Sequence, residues 1–201
     1  MSDSFNQKIQ IFKEMLISFN RYVNVTSKKS LHLLDVHIQD SMHLAEQVST
    51  SHVHVDMGSG AGIPGIIVAI MTNASVICIE SKKKKRDFLE SVRQELQLSN
   101  VLVYDSDVQS FAKRYCGQKI TSFSAKAFAK PPQLLNYLSH FKKNQFDSNA
   151  ICWVPISKDQ ADILAKFDDV IEVGMRPFYY FKIQMRSFRL YKADLKNKYN
   201  L

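Results

Sequence analysis

Apolar residues recur every three or four positions in the first fifty residues and then change to short continuous runs. The helical spacing is clear at Ile9, Phe12, Leu16 and Phe19 and less regular at Leu33, Val36, Leu44 and Val48. From residue 51 onward the apolar runs contain many β-branched residues, which favour strands. We therefore expect a helical N-terminal extension over residues 1–50, packed on a sheet-containing domain over residues 51–201, as one compact unit.

The second part of the chain alternates predicted strands with predicted helices. The strands are expected at Val53–Met57, Ser75–Glu80, Asn100–Tyr104, Thr121–Lys126 and Ala150–Ile156. The helices are expected at Ile63–Met71, at Lys84–Leu96 and after Pro131 and Pro132, and a hairpin is expected from Phe178–Ile183 with Ser187–Lys192. Strands that alternate with helices imply right-handed crossovers, so the α/β fold should contain a mostly parallel sheet covered on both faces.

Composition narrows the choice of partner and compartment. The 201 residues carry a formal net charge of +8 with a pI near 9.3, which favours an anionic partner. Nucleic acid is the leading candidate, and an acidic membrane surface is the alternative. The N-terminus lacks a signal-peptide pattern, and no apolar run approaches the roughly 20 residues that cross a bilayer. Three widely spaced cysteines suit a reducing, cytoplasmic compartment and offer no zinc motif, so we expect no metal.

A glycine-rich segment, DMGSGAGIPG at residues 56–65, directly follows the first predicted strand and holds four of the six glycines. Glycines in such a turn let backbone N–H groups approach a bound ligand. The part from Gly60 to Gly65 also fits the dinucleotide pattern G-x-G-x-x-G, so a nicotinamide-dependent enzyme is an alternative. That pattern places its first glycine at the end of the strand, whereas here Asp56 occupies that position. An acid there can pair with the cationic amino-acid moiety of S-adenosylmethionine, which NAD lacks.

Glu80 and a basic run complete the candidate site. Glu80 ends the second predicted strand, where a carboxylate can accept hydrogen bonds from ribose hydroxyls in either cofactor. Five basic residues follow it and open a helix, namely Lys82, Lys83, Lys84, Lys85 and Arg86. At the rim of a cofactor cleft they could hold an RNA backbone, and the alternative is an ordinary solvated helix face.

Five segments, in this order, carry a family resemblance. They are NVT at 24–26, HIQDS at 37–41, the glycine segment at 56–65, ES with KK and FL across 80–89, and KAFA at 126–129. The chain resembles the RsmG (GidB) family of 16S ribosomal RNA methyltransferases from about Asn24 to Lys192. The resemblance implies a class I S-adenosylmethionine-dependent methyltransferase fold, Rossmann-like, acting on ring nitrogen 7 of one guanine in 16S rRNA. It implies rRNA or the small ribosomal subunit as partner and a monomer away from membranes.

Matched position by position, the resemblance implies a set of cofactor-binding residues. Gly58 and Ile63 fall where the family contacts the cofactor, Glu80 where it holds the ribose, and Val108 and Gln109 beside the adenine. Lys126 falls on a basic residue of the active-site floor, and Asp56, Ser59 and Gly60 belong to the glycine turn.

Three segments depart from the family pattern and keep other functions open. The R-x-E after the third strand is DVQ here, the arginine of RAFA is Lys126, and a lysine-glycine step is replaced within VPIS at 154–157. A catalytically weakened RNA-binding protein and a methyltransferase of another substrate are therefore alternatives. The nicotinamide enzyme remains a more distant one.

The chemistry of the expected reaction requires no dedicated base. Ring nitrogen 7 of guanine offers an in-plane lone pair, so positioning supplies most of the catalysis and no catalytic residue is assigned. His37 and Asp40 share one helix face and, with Lys126, are candidates to line the pocket. The alternative for the His/Asp pair is a brace between the N-terminal helix and the sheet. Trp153 and the aromatic residues 178–181 could stack on bases, but their alternating positions favour the core.

Overall fold

The computed structural model describes residues 3–48, 52–156, 170–175 and 178–184. Three helices come first: α1 (Asp3–Asn20), α2 (Lys28–His32) and α3 (Leu34–Ala45). The rest alternates as β1 (Val53–Met57), α4 (Gly65–Met71), β2 (Ser75–Glu80), α5 (Lys83–Glu95), β3 (Val101–Asp105), α6 (Val108–Arg114), β4 (Ile120–Ser124), α7 (Pro131–Ser139), β5 (Phe146–Ile156), β6 (Val170–Met175) and β7 (Phe178–Gln184).

The seven strands form one sheet in the order β3-β2-β1-β4-β5-β7-β6. The first five are parallel, and β7 and β6 pair antiparallel at one edge. The chain leaves β1 toward β2 on one side and reaches β4 on the other, so the strand order reverses between β1 and β4. In open α/β sheets, ligands bind beyond the carboxyl ends of the strands at such a reversal. The predicted α/β class with a mostly parallel sheet is confirmed.

Two elements, α6 and β6, escaped the sequence prediction, and the predicted extent of β5 was wrong. Helix α6 has only three buried positions, and its start depends on the Asp107 side chain, which accepts a hydrogen bond from the Ser110 N–H at 2.8 Å. Strand β5 begins at Phe146 rather than Ala150, across a polar stretch that gives no strand signal. Strand β7 pairs with the preceding β6, which was not predicted. The expected partner, residues 187–192, lies outside the described residues.

Alternation along the strands separates two hydrophobic layers. Val53, Val55 and Met57 of β1 face a layer that α6 and α7 cover. The opposite face of the sheet belongs to a layer that contains residues of α1, α3, α4 and α5, and Trp153 is buried in it, as its alternating position predicts. Both faces of the sheet are therefore covered, which explains why every residue of the central strand β1 is buried.

Aromatic packing attaches the N-terminal helices to the sheet domain. The ring of Phe88 in α5 is fully buried, and its centroid lies 6.4 Å from that of Phe12 and 5.2 Å from that of Phe19 in α1. Lys13 Nζ lies 2.6 Å from Asp35 Oδ1 and so joins α1 to α3. The division of the chain at residue 50 stays a prediction. No helix in the described ranges has the length and apolar character that crossing a membrane requires.

Replacing Phe88 with alanine should lower the free energy of unfolding by about 3 to 5 kcal/mol, because it leaves a cavity between α1 and α5. Urea denaturation measures the change. Leu102→Ala is the control, since Leu102 is 53% exposed and its loss should change stability by less than about 0.5 kcal/mol. Equal small effects of both substitutions would show that the aromatic contact contributes little.

Candidate active site

Two chambers open side by side at the carboxyl ends of the strands. The first, called the Glu80 chamber, has a volume of about 320 Å³ and is lined by Ile79, Glu80, Ser81, Lys82, Ser106, Asp107, Val108, Phe128 and Tyr137. The second, called the Lys126 chamber, has about 380 Å³ and is lined by Leu16, Val25, Thr26, Ser27, Ser30, Leu34, His37, Ser59, Gly60, Ala61, Ile63 and Lys126. Both share Gly58, Lys85 and Ala127, so the chambers meet at the glycine loop.

The glycine loop follows a path that side chains would obstruct. Gly58, Gly60 and Gly62 have φ values of +70°, +54° and +80°, a region that residues with a Cβ rarely adopt. A Cβ at Gly58 would overlap the ring of Phe128, which packs directly on the loop between the chambers. The N–H groups of Gly58 and Ser59 donate to the Ile79 carbonyl at 2.9 and 3.0 Å. The loop is therefore held against the end of β2.

Glu80 is fixed by the backbone around it. Its Oε2 accepts a hydrogen bond from the Gly60 N–H at 3.0 Å, and its Oε1 accepts one from the Lys82 N–H at 2.8 Å. The side chain is 6% exposed and lines the first chamber. Because each carboxylate oxygen can accept more than one hydrogen bond, both remain able to accept one from a ligand hydroxyl. This geometry fits the predicted contact with a ribose.

Asp56 lies beneath the loop rather than at the surface of either chamber. It is 1% exposed, its Oδ1 accepts from the Ser124 Oγ–H at 2.6 Å, and its Oδ2 accepts from the Gly65 N–H at 3.2 Å. Burial raises the pKa of Asp56, whereas the hydrogen bonds from Ser124, Ser59 and Gly65 oppose that rise. In this arrangement Asp56 anchors the loop and the start of α4. For the predicted ion pair to form, the ammonium group of the ligand would have to reach Asp56 through the loop.

A buried histidine supports Asp56, and the sequence interpretation missed it. His54 Nδ1 lies 2.8 Å from Ser122 Oγ, and Nε2 lies 2.9 Å from Ser124 Oγ. Because the single hydroxyl hydrogen of Ser124 goes to Asp56, Ser124 accepts from Nε2–H of His54, which leaves Nδ1 to accept from Ser122. Burial lowers the pKa of His54 to about 3, so the ring is neutral. The alternation His54, Asp56 and Ser122, Ser124 was visible in the sequence, but their pairing depends on the β1–β4 register.

Two of the three predicted pocket residues line a chamber, and the third does not. His37 and Lys126 both line the Lys126 chamber, whereas Asp40 is 2% exposed and lines neither. Burial lowers the pKa of Lys126 to about 8, and the charges of Asp40 and Asp56 oppose this. Burial and the charge of Lys126 lower the pKa of His37 to about 4. At neutral pH the chamber therefore presents the neutral imidazole of His37 and the amine of Lys126, which is mostly protonated.

The basic run divides into residues that face the cleft and residues held elsewhere. Lys82 lines the first chamber and Lys85 lines both. Arg86 Nη2 lies 2.9 Å from Asp105 Oδ2, and its Nη1 donates to the Ser81 carbonyl. Lys83 pairs with Asp87 one turn along the helix, and Lys84 is exposed. The five basic residues do not form a single surface.

The other predicted cofactor residues also differ in position. Ile63 lines the Lys126 chamber and Val108 the Glu80 chamber, while Gln109 is not among the lining residues of either. Thr26, from the NVT segment, also lines the second chamber. Asn20 Oδ1 accepts hydrogen bonds from the Val25 and Thr26 N–H groups at 2.9 and 3.0 Å, which holds this segment in a turn. In the described ranges, no group of three or more His, Cys, Asp or Glu side chains could hold a metal ion.

Comparison of the sequence with known families identifies relatives over most of the chain. The model of the GidB family, described as rRNA small subunit methyltransferase G, matches residues 5–149. The ribosomal RNA small subunit methyltransferase G of Campylobacter jejuni subsp. doylei is 33% identical over 121 residues, which cover 59% of this chain and 63% of that protein. The matched part thus spans less than two thirds of that relative's length.

Solved structures resemble the fold at low sequence identity. A mutant of MtNAS in complex with S-adenosylmethionine aligns with a TM-score of 0.57 and 13% identity, over 89% of this chain and 76% of that one. Precorrin-6y C5,15-methyltransferase from Geobacter metallireducens aligns with a TM-score of 0.54 and 10% identity, over 79% and 89%. The predicted class I methyltransferase fold is confirmed.

The neutral state of His54 makes stability depend on pH. Its pKa is about 3 in the fold against 6.5 for the ordinary side chain, so only the unfolded chain binds this proton between these pH values. The contribution is complete above pH 6.5 and is lost on acidification, at about 1.4 kcal/mol per pH unit. Urea unfolding from pH 7 to pH 4 should therefore show a steeper loss for the wild type than for His54→Gln, whose amide keeps one donor and one acceptor.

The control for this measurement is His32→Gln, since His32 is exposed. This variant should keep the wild-type slope. A His54→Gln variant with the same slope as the wild type would mean that His54 binds its proton within the fold.

Proposed function

Because the chain belongs to the GidB family of small-subunit rRNA methyltransferases, we propose that it methylates ring nitrogen 7 of a guanine in 16S rRNA, with S-adenosylmethionine as methyl donor. It acts as a cytoplasmic monomer on rRNA, free or within the small subunit. The observation that carries the proposal is the glycine loop, which separates a chamber walled by a fixed carboxylate from a chamber that contains Lys126.

The Glu80 chamber suits the nucleoside end of S-adenosylmethionine. Glu80 presents oxygens already oriented by two backbone N–H groups, and Val108 offers an apolar surface to the adenine. Gly58 borders both chambers, and the ring of Phe128 packs where its Cβ would lie, so a ligand that spans the two chambers passes beside this ring. Binding of the same cofactor by the structurally similar MtNAS mutant supports this assignment. When bound, the cofactor supplies an electrophilic methyl group.

The Lys126 chamber suits the target base. The attacking nitrogen carries a free lone pair, so the chamber must orient the guanine and exclude water rather than remove a proton. Lys126 donates a hydrogen bond to the carbonyl oxygen O6, which leaves ring nitrogen 7 free to attack. His37 is neutral and borders the same space, so it adds no second positive charge near the sulfonium.

Two departures from the family pattern, at Gln109 and Lys126, are compatible with turnover. The family's adenine-side acid is replaced by Gln109, but this side chain is not among the residues that line the cofactor chamber. The replacement of arginine by Lys126 retains a cation in the second chamber. Turnover on rRNA therefore remains the function that the geometry supports best.

The proposal is tested first by calorimetric titration with S-adenosylhomocysteine. Wild type should bind, and Glu80→Gln should bind about 10- to 100-fold more weakly, because an amide cannot accept at both positions and loses charge-assisted bonds. Glu95→Gln is the control, since Glu95 is exposed on the far end of α5 and should bind as wild type does.

Methyl transfer is measured with tritium-labelled donor on small subunits, 16S rRNA and tRNA that lack the modification. Label in 16S rRNA is expected, and strand scission after borohydride reduction and aniline treatment should locate a 7-methylguanine. Label in tRNA would show that tRNA rather than 16S rRNA is the substrate. Binding of rRNA without methyl transfer would favour an RNA-binding protein without turnover. Failure to bind either cofactor or rRNA would overturn the proposal.

The titration of Lys126 gives the proposed reaction a pH dependence. Its ammonium is present below a pKa of about 8 and lost above it, so the rate at saturating donor should fall as pH rises through 8. Lys126→Arg keeps its charge at every accessible pH and should flatten this profile between pH 7 and pH 9. Identical profiles for both proteins would show that Lys126 does not act on the base.

A further inference from the structure

The mouth of the Lys126 chamber lies between two elements that carry exposed lysines. One wall comes from Ser27 and Ser30 at the start of α2, and the other from the glycine loop and Lys85. Lys28 and Lys29 stand next to Ser27 and Ser30 along α2, and both are exposed. Basic residues therefore lie on both elements that border the mouth: Lys28 and Lys29, called the α2 rim, and Lys84 and Lys85, called the α5 rim.

The loop between α1 and α2 carries an exposed aromatic ring near the Lys126 chamber. Val25, Thr26 and Ser27 of this loop line the chamber, and Tyr22 precedes Val25 by three residues. Phe19, at the end of α1, packs on Phe88 of α5 with ring centroids 5.2 Å apart, which fixes the start of the loop. Tyr22 is 86% exposed, the largest exposure among the large hydrophobic residues of the described chain. A ring of this size without cover is available to stack on another flat group.

The segment that carries this ring is held in a defined shape. The Tyr22 and Val23 N–H groups both donate to the Phe19 carbonyl, at 3.1 and 3.0 Å. The Asn20 side chain holds the next residues of the loop, and Ser27 caps α2 through the Ser30 N–H. A surface that is ordered before binding loses less conformational entropy when a partner binds.

We propose that the two rims and Tyr22 bind a single strand of RNA, whose target base enters the Lys126 chamber while a neighbouring base stacks on Tyr22. This inference rests on the proposed function, because it assigns the substrate form of the same site. Lysines on both sides of the mouth match a phosphate backbone that crosses it, and an exposed aromatic ring matches an unstacked base. A base within a duplex cannot enter a chamber bordered in this way unless it leaves the stack.

The charge component is tested with a fluorescein-labelled single-stranded oligoribonucleotide that contains guanine, by anisotropy over a series of salt concentrations. The double variant Lys28→Gln, Lys29→Gln is compared with Lys142→Gln, Lys143→Gln, which removes two adjacent exposed lysines beyond the opposite end of the sheet, just before β5. The α2 variant should lower the slope of log K against log salt by roughly 1.4, and the control should leave it unchanged. Equal slopes for the two variants would show that Lys28 and Lys29 do not bind the RNA backbone, which would overturn this part of the proposal.

The stacking component is tested with Tyr22→Ala and Tyr22→Phe on the same oligonucleotide. The alanine variant should weaken binding roughly 5- to 150-fold, and the phenylalanine variant, which keeps the ring, should bind as wild type does. The wild type should also bind the single strand more tightly than a duplex of the same sequence. Unchanged binding by Tyr22→Ala, or tighter binding of the duplex, would overturn the proposal.

Failure of this inference is distinguishable from failure of the proposed function. None of the substituted residues lines either chamber, so each variant should bind S-adenosylhomocysteine as wild type does. If wild type transfers methyl to rRNA but the α2 and Tyr22 variants bind RNA normally, the reaction stands and the surface is elsewhere. If the variants lose RNA binding but wild type transfers no methyl, the surface stands and the enzymatic function fails.

Discussion

A buried carboxylate at the end of β1 imposes the geometry on which the cleft depends. Asp56 is enclosed on all sides, and a carboxylate removed from water requires hydrogen bonds to its oxygens. Its partners come from separate elements, with Ser124 on β4 and Gly65 at the start of α4. Satisfying this one side chain therefore fixes the spacing of β1 and β4, the entry into α4 and the path of the loop between them.

Further hydrogen bonds connect Asp56 and its loop to the interior of the sheet on one side and to the chambers on the other. His54 bridges two serines of β4, so Ser124 is oriented toward Asp56 from below. Above Asp56, the loop donates to the end of β2 and to Glu80, whose carboxylate then faces the first chamber. A contiguous set of polar contacts thus links the floor of the sheet to the groups that meet a ligand, and each member restricts the next.

The parts of the site that depend on a short local pattern could be predicted from the sequence. The parts that depend on neighbours across the sheet could not. The glycine turn, Glu80 at a strand end and the apolar alternation of β1 can each be recognised within ten residues. The role of His54 could not, because it requires knowing that β1 lies beside β4 in a particular register. For the basic run the sequence left RNA binding and a solvated helix face open, and it could not show that Arg86 pairs with Asp105, which lies on β3.

The limits of the fold prediction have the same origin. Helix α6 is only seven residues long and has too few apolar positions for a periodic signal. Strand β6 is recognisable chiefly through its partner β7, since pairing rather than composition defines an edge hairpin. The short reach of sequence patterns therefore explains both the missed elements and the missed histidine.

The two chambers share a wall through which an occupant of one chamber can act on an occupant of the other. Gly58, Lys85 and Ala127 border both spaces, and Phe128 packs against the loop at the boundary. An occupant that displaces any of these groups changes the affinity of the other chamber, and linkage requires the reverse effect to have equal size. In the proposed reaction the base gains the methyl group that the donor loses, so both occupants change at once, and any displacement of this wall couples the release of the two products.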